Sequence, residues 1–169
     1  SGLLSTNSGA LTPSFVGRGS QIVTDESGAL ISFPEVGSLY LDRNSSLYIK
    51  EAYRLGVRSK DLIPYLEMQL ERGAVYSRLN GLAHHLHVQY ETPFGTVRVI
   101  GTDFLLSMNE LSGMQVEVLK GFVEVESLKG KKESATVKKA SFALILPDPQ
   151  GTLYVSEISS DRLGILEQE

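Results

Sequence analysis

All three histidines of the chain fall in one short stretch, at His84, His85 and His87. On a strand, side chains two apart share a face, so His85 and His87 stand where two imidazoles could grip one metal ion. Two imidazoles alone leave such a site half built, and no carboxylate adjoins them to supply further ligands. An exposed strand face is therefore the plainer expectation, and neither a metal nor another cofactor is expected. If the pair lies in a contact surface, protonation near pH 6 would change binding there.

Hydroxyl chemistry fares no better. Thr102 follows Gly101, but nothing nearby supplies the oriented base that a serine or threonine nucleophile needs. Neither a G-x-S-x-G elbow nor an S-x-x-K pair occurs, and Asp103 and Glu110 carry no sign of a paired acid and base. A glycine at a bend followed by a packed β-branched residue explains Gly101-Thr102 better. The chain is expected not to be an enzyme.

What remains is chemistry of contact. Lys129, Lys131, Lys132, Lys138 and Lys139 flank Gly130 and Ser134, as on a solvated hairpin tip; an acidic partner or anionic glycan is the sharper alternative. Tyr40, Tyr48, Tyr53, Tyr65, Tyr76, Tyr90 and Tyr154 fall on expected strands and suit a protein or sugar contact surface. Asn44-Ser45-Ser46 fits the glycosylation pattern, read here as accidental. Sixteen basic against twenty acidic residues give a net charge of −4. That leaves no excess of positive charge to neutralise phosphates, which argues against nucleic acid as a partner.

The chain has no cysteine, which removes disulfides, thiol nucleophiles and thiolate metal sites. No run approaches the roughly 20 apolar residues that span a bilayer, so this segment is not expected to insert. A chain of 169 residues with 41% hydrophobic content can build a core unaided. The expectation is a single domain over residues 1–169, an excised piece of a longer protein.

The elements that position these residues are strands. Leu39-Tyr40-Leu41, Leu47-Tyr48-Ile49, Val97-Arg98-Val99, Val116-Glu117-Val118 and Val123-Glu124-Val125 alternate with period two. Gly73, Gly95, Gly121 and Gly151 each carry apolar residues at minus seven, minus five and plus two, and Gly37 offers a poorer copy. Positions minus five and plus two lie seven apart, so both face one core only if the chain turns or bulges near the glycine. Asp61–Arg72 is rich in helix formers, yet Pro64 and the spacing of Leu66, Met68 and Leu70 favour a strand, with a short helix after Asp61 as the alternative.

The stretch Thr92-Pro93-Phe94-Gly95-Thr96-Val97-Arg98-Val99-Ile100-Gly101-Thr102-Asp103-Phe104 resembles the signature of the FecR family. There a T-P-x-G segment leads through alternating valines to a Gly-Thr pair and a large apolar residue. Leu66–Val75 is similar to the family's preceding strand, Val116–Val125 to its following one, and Gly37–Ile49 to its opening strands. The resemblance covers residues 17–125 and continues loosely to 158, with residues 126–149 departing from it as a divergent insertion.

It implies a periplasmic or surface-exposed domain in which Thr92, Pro93, Gly95, Gly101 and Thr102 are structural. Its best-known members carry a signal from an outer-membrane TonB-dependent receptor to a cytoplasmic sigma factor by protein contact. The expected fold is all-β: hairpin units stacked into a twisted sandwich or a short solenoid-like roll. The expected function is a non-catalytic, extracytoplasmic protein-binding or sensing module that relays or anchors a cell-envelope signal through an envelope protein such as an outer-membrane receptor domain. A structural or carbohydrate-binding domain of a surface protein is the alternative.

Overall fold

The computed structural model describes residues 2–6, 14–33, 36–55, 63–79, 86–130 and 132–162. They form the strands β1 (Gly2–Thr6), β2 (Ser14–Val16), β3 (Gln21–Val23), β4 (Ala29–Phe33), β5 (Gly37–Leu41), β6 (Ser46–Leu55), β7 (Ile63–Leu79), β8 (His87–Glu91), β9 (Gly95–Asn109), β10 (Gly113–Ser127), β11 (Ser134–Lys138), β12 (Ser141–Ile145) and β13 (Leu153–Glu157). Ile63–Arg72 is thus strand, as its period-two spacing requires, because pairing on both sides overrides its helix propensity.

All these strands join one mixed sheet in the order β13-β12-β10-β9-β8-β7-β5-β4-β1-β2, with β11 added on β10 and β6 with β3 on β7. Neighbours are antiparallel except β7 and β8, which run parallel from Tyr65↔His87 to Gln69↔Glu91. The fold is all-β, with its hairpin units joined edge to edge.

Such a sheet must cover its own apolar face, and the long strands show how. The first half of β7 is separated from the first half of β9 by β8. Their second halves pair directly, from Gly73↔Met108 to Arg78↔Asp103. Tyr90 on β8 lies beside Met68 and Val97 in the first halves. Its hydroxyl nevertheless sits 2.7 Å from Ser77 Oγ, and its ring meets Phe104 edge-on, centroids 5.6 Å apart. Ser77 and Phe104 face each other in the second halves. One side chain therefore bridges two parts of the sheet folded face to face. Burial drives the Tyr90 hydroxyl far above the ordinary phenol range, the Ser77 hydrogen bond offsetting a little of it, so the bridge stays uncharged.

The folding back happens at glycines. Gly73, Gly101 and Gly121 all have positive φ, and the β9–β10 register slips on both sides of Lys120. A Cβ on Gly121 would come within 2.6 Å of the Gly101 carbonyl oxygen, so the two bends nest only because Gly121 has no side chain. The bends at Gly73 and Gly121, with the turn that ends at Gly95, settle the parity problem in the sequence repeat. Leu66, Met68 and Val75, Val88, Tyr90 and Val97, and Met114, Val116 and Val123 are all buried.

The Gly151 copy departs from the pattern. In β12 the inward residues are Ala143 and Ile145 rather than Leu144 and Leu146, while Leu153 is partly buried against the core. Gly151 lies in the turn before β13, and the opposite phase of β12, not the turn, takes this copy out of the pattern.

Candidate functional site

Thr92 is buried at the turn into β9. Its hydroxyl oxygen accepts hydrogen bonds from the amides of Phe94 at 3.1 Å and Gly95 at 3.0 Å, and the hydroxyl donates to the Gly95 carbonyl at 3.0 Å. Pro93 occupies the exposed corner and donates no hydrogen bond there. Gly95 lies so close to β10 that a Cβ would meet Glu126 O at 2.6 Å. At the other end of the motif, Thr102 is fully buried and donates to the Phe122 carbonyl at 2.7 Å across the β10 irregularity.

Thr92→Val keeps the shape and strands two buried amides. It is expected to cost about 2 kcal/mol, lowering Tm by about 4–8 °C in a thermal melt. A change below about 1 °C would show that the turn does not depend on this hydroxyl.

His84 and His85 lie outside the described residues. His87 stands at the end of a three-ring ladder: Tyr53 stacks on Tyr65 at 4.7 Å between centroids, and Tyr65 on His87 at 4.3 Å. Among the described residues, no group of three or more His, Cys, Asp or Glu is placed to hold a metal ion.

Burial, followed by the nearby Arg98 charge, holds the His87 imidazole below its ordinary value. The folded chain therefore takes up this proton less readily than the unfolded one. The contribution of His87 to stability is complete above the unfolded value of about 6.5 and is lost as pH falls from there through the lower folded value. His87→Phe, which keeps a ring in the ladder, is expected to flatten the stability profile between pH 7.5 and 5, read as the difference from the parent chain in urea titrations. Identical slopes would contradict it.

Beside the ladder lies a charged group that no local motif announces. Lys50 Nζ is 2.8 Å from Glu91 and 3.6 Å from Glu67, three residues on three strands. Burial and a hydrogen bond to Glu91 push Glu67 up. Burial pushes Glu91 the same way, but hydrogen bonds from Lys50 and Glu67 outweigh it and hold Glu91 low. The pair shares the single ammonium charge, with Glu67 the readier to keep a proton.

The outer face of the sheet carries a groove. Strand register sets Leu30, Tyr40, Tyr76 and Leu105 side by side across β4, β5, β7 and β9. They line a concavity of about 670 Å³ with Asp42, Arg78 and Arg162. Arg78 lies over the Tyr76 ring at 5.6 Å and 3.8 Å from Asp103. Glu117 is next in the row after Leu105, and Arg162 clamps it with two 3.0 Å hydrogen bonds. Exposed tyrosine and leucine edges between two guanidinium groups suit protein recognition.

The lysine tip resolves into separate pieces. Lys129 lies over Phe94 at 5.5 Å, Lys132, Lys138 and Lys139 are exposed, and Lys131 is outside the described residues. Asn44 is exposed and takes a positive φ in the β5–β6 turn, which fits its choice on conformational grounds. Asp103 faces Arg78, and Glu110 sits exposed in the β9–β10 turn. The two acids are not brought together as a pair.

The described residues form an all-β module: a folded-back sheet whose buried polar groups brace its turns and whose aromatic and guanidinium groups line an outer groove. The chain belongs to the FecR protein family, matching it over residues 20–124, more than half its length. That family is regulatory in kind. No curated protein matches the chain in sequence. Crystal structures of proposed anti-sigma factors from Parabacteroides distasonis ATCC 8503, at 1.65 and 2.50 Å resolution, share the fold with TM-scores of 0.64 and 0.63 at 16% and 17% identity. The match covers 88% of this chain and 65% and 64% of those chains, so this chain spans just under two thirds of their length.

Proposed function

We propose that this chain is the extracytoplasmic, non-catalytic part of an envelope signal relay, one domain that works by gripping another protein. In this reading Thr92, Pro93, Gly95, Gly101 and Thr102 serve the bends of the sheet, and recognition falls to the outer surface. The observation that carries it is the Leu30-Tyr40-Tyr76-Leu105 groove flanked by Arg78 and Arg162, on a chain of the FecR family. The anti-sigma description of its structural neighbours supports a relay role. Carbohydrate binding is less well supported by the Tyr53-Tyr65-His87 ladder. Its inner ring faces are spent on each other, whereas a sugar platform presents them outward.

The test places a photo-crosslinking residue at Tyr40 in the full-length gene product, in its own host, with Leu111 on the β9–β10 turn as control, since Leu111 is 90% exposed and does not line the groove. The expected result is a discrete adduct with one envelope protein from position 40 alone. Recovery of the protein in the cytosolic fraction, or equal labelling from both positions, would overturn the proposal.

A further inference from the structure

Strand β13 ends the sheet, pairing among the described strands with β12 alone. Leu146 N donates to Thr152 O at 3.1 Å and Ile158 N to Ala140 O at 2.8 Å. Antiparallel strands alternate, so Tyr154 and Ser156 share that phase toward β12 while Leu153, Val155 and Glu157 turn their peptide groups outward. The Leu153 amide donates to Glu133 Oε2 at 3.3 Å. The Val155 and Glu157 amides face away from the sheet. Val155 is opposite Ala143, which is 1% exposed on the core face, yet Val155 itself is 46% exposed and Tyr154 53%. Among the described residues the core face therefore ends on a half-exposed strand here.

Exposed edges are normally defended by charge, proline or brevity. The other described edges follow this rule: β11 carries Lys138 between Lys132 and Lys139, β6 contains Lys50, and β2 and β3 are three residues each. Leu153-Tyr154-Val155-Ser156-Glu157 has neither a basic residue nor a proline, and its one charge, Glu157, sits at the strand's end, leaving Leu153–Ser156 uncharged.

We propose that β13 receives an extended segment of a protein partner as an additional strand, with apolar side chains alternating onto the core side and basic residues at its ends. The basic ends follow from Glu133 and Glu157, which bracket the open stretch with negative charge. A second copy of this chain fits worse. Antiparallel self-pairing about Val155 sets each Glu157 against Leu153 of the other copy, where Glu133 already sits. This inference rests on the reading of the chain as a protein-binding module and specifies a surface of that module distinct from the groove.

The test titrates the ¹⁵N-labelled chain with the blocked peptide Lys-Val-Thr-Val-Thr-Val-Lys up to millimolar concentration. Amide shifts are expected in residues 153–157 and 141–145, with new exchange protection at Val155. Val155→Pro removes an outward amide without touching a β12 bond and is expected to weaken binding at least tenfold. Should that variant melt early, Val155→Lys, which sets like charge against the peptide, is expected to do the same. Four results would overturn the proposal: no binding, shifts confined to the groove, equal binding of a peptide with glutamate ends, or peptide-free dimerisation that Val155→Pro abolishes. Shifts at the groove would leave the protein-binding reading standing, whereas the crosslinking experiment at Tyr40 tests that reading on its own.

Discussion

Gly73→Ala is expected to destabilise the fold by about 4 kcal/mol or more, among the largest effects of any single methyl group in this chain. Gly73 has φ of +85°, and alanine in the left-handed region costs about 1–2 kcal/mol before any contact is counted. The new Cβ would also overlap the Ser45 hydroxyl and approach Ser45 Cα to 2.7 Å. Ser45 cannot step aside. It is fully buried, its hydroxyl oxygen accepts from Ala74 N at 3.0 Å, and its own amide donates to Thr24 Oγ1 at 2.9 Å. Moving it would orphan buried amides at the bend where β7 passes from one half of the sheet to the other.

The control is Gly19→Ala. Gly19 has a similar φ of +81°, but a Cβ there would meet nothing within 4 Å. Urea unfolding should separate the two, with Gly19→Ala losing only the conformational cost of about 1–2 kcal/mol. Equal losses would mean that the bend at Gly73 is not tightly packed.

Phe104→Ala should cost about 3–5 kcal/mol, the range for emptying a buried aromatic site. Phe104 is fully buried and its ring meets Tyr90 at 83°. Edge-to-face pairs contribute about 0.5–1.5 kcal/mol beyond burial. A double-mutant cycle of Phe104→Ala with Tyr90→Leu should therefore return a coupling of about 1 kcal/mol. A cost below about 1 kcal/mol for Phe104→Ala, or a coupling of zero, would count against the bridge between the two halves.

The alternation of Val97-Arg98-Val99 and Val123-Glu124-Val125 was legible in the sequence because a strand writes its two faces into its residues. So was the need for a bend near Gly73 and Gly121, since the parity of flanking apolar positions demanded one. Strand order was not legible. Alternation says which face a residue takes, not which strand lies beside it, so the parallel β7–β8 pairing and a single folded sheet left no local mark. The phase slip in β12 escaped for a related reason: Leu144 and Leu146 are as apolar as the inward Ala143 and Ile145.

Polar clusters were the hardest to foresee. Lys50 and Glu91 are 41 residues apart, and Arg162 and Glu117 are 45 apart, so no spacing rule links them. The seven tyrosines looked alike in sequence, yet Tyr90 closes the core while Tyr40 and Tyr154 look outward. His87 ends a ring stack that no spacing in the sequence announced.

The folding of one sheet onto itself supports everything else, since it buries the motif and leaves the groove and the β13 edge outside. Nuclear Overhauser spectroscopy on the chain with labelled aromatic residues tests it most directly. Strong cross-peaks are predicted between the Tyr90 and Phe104 rings, whose centroids lie 5.6 Å apart, and from Tyr90 to Ser77. Were Tyr90 to show contacts only to its strand neighbours Met68 and Val97, the sheet would lie open and the account would be wrong.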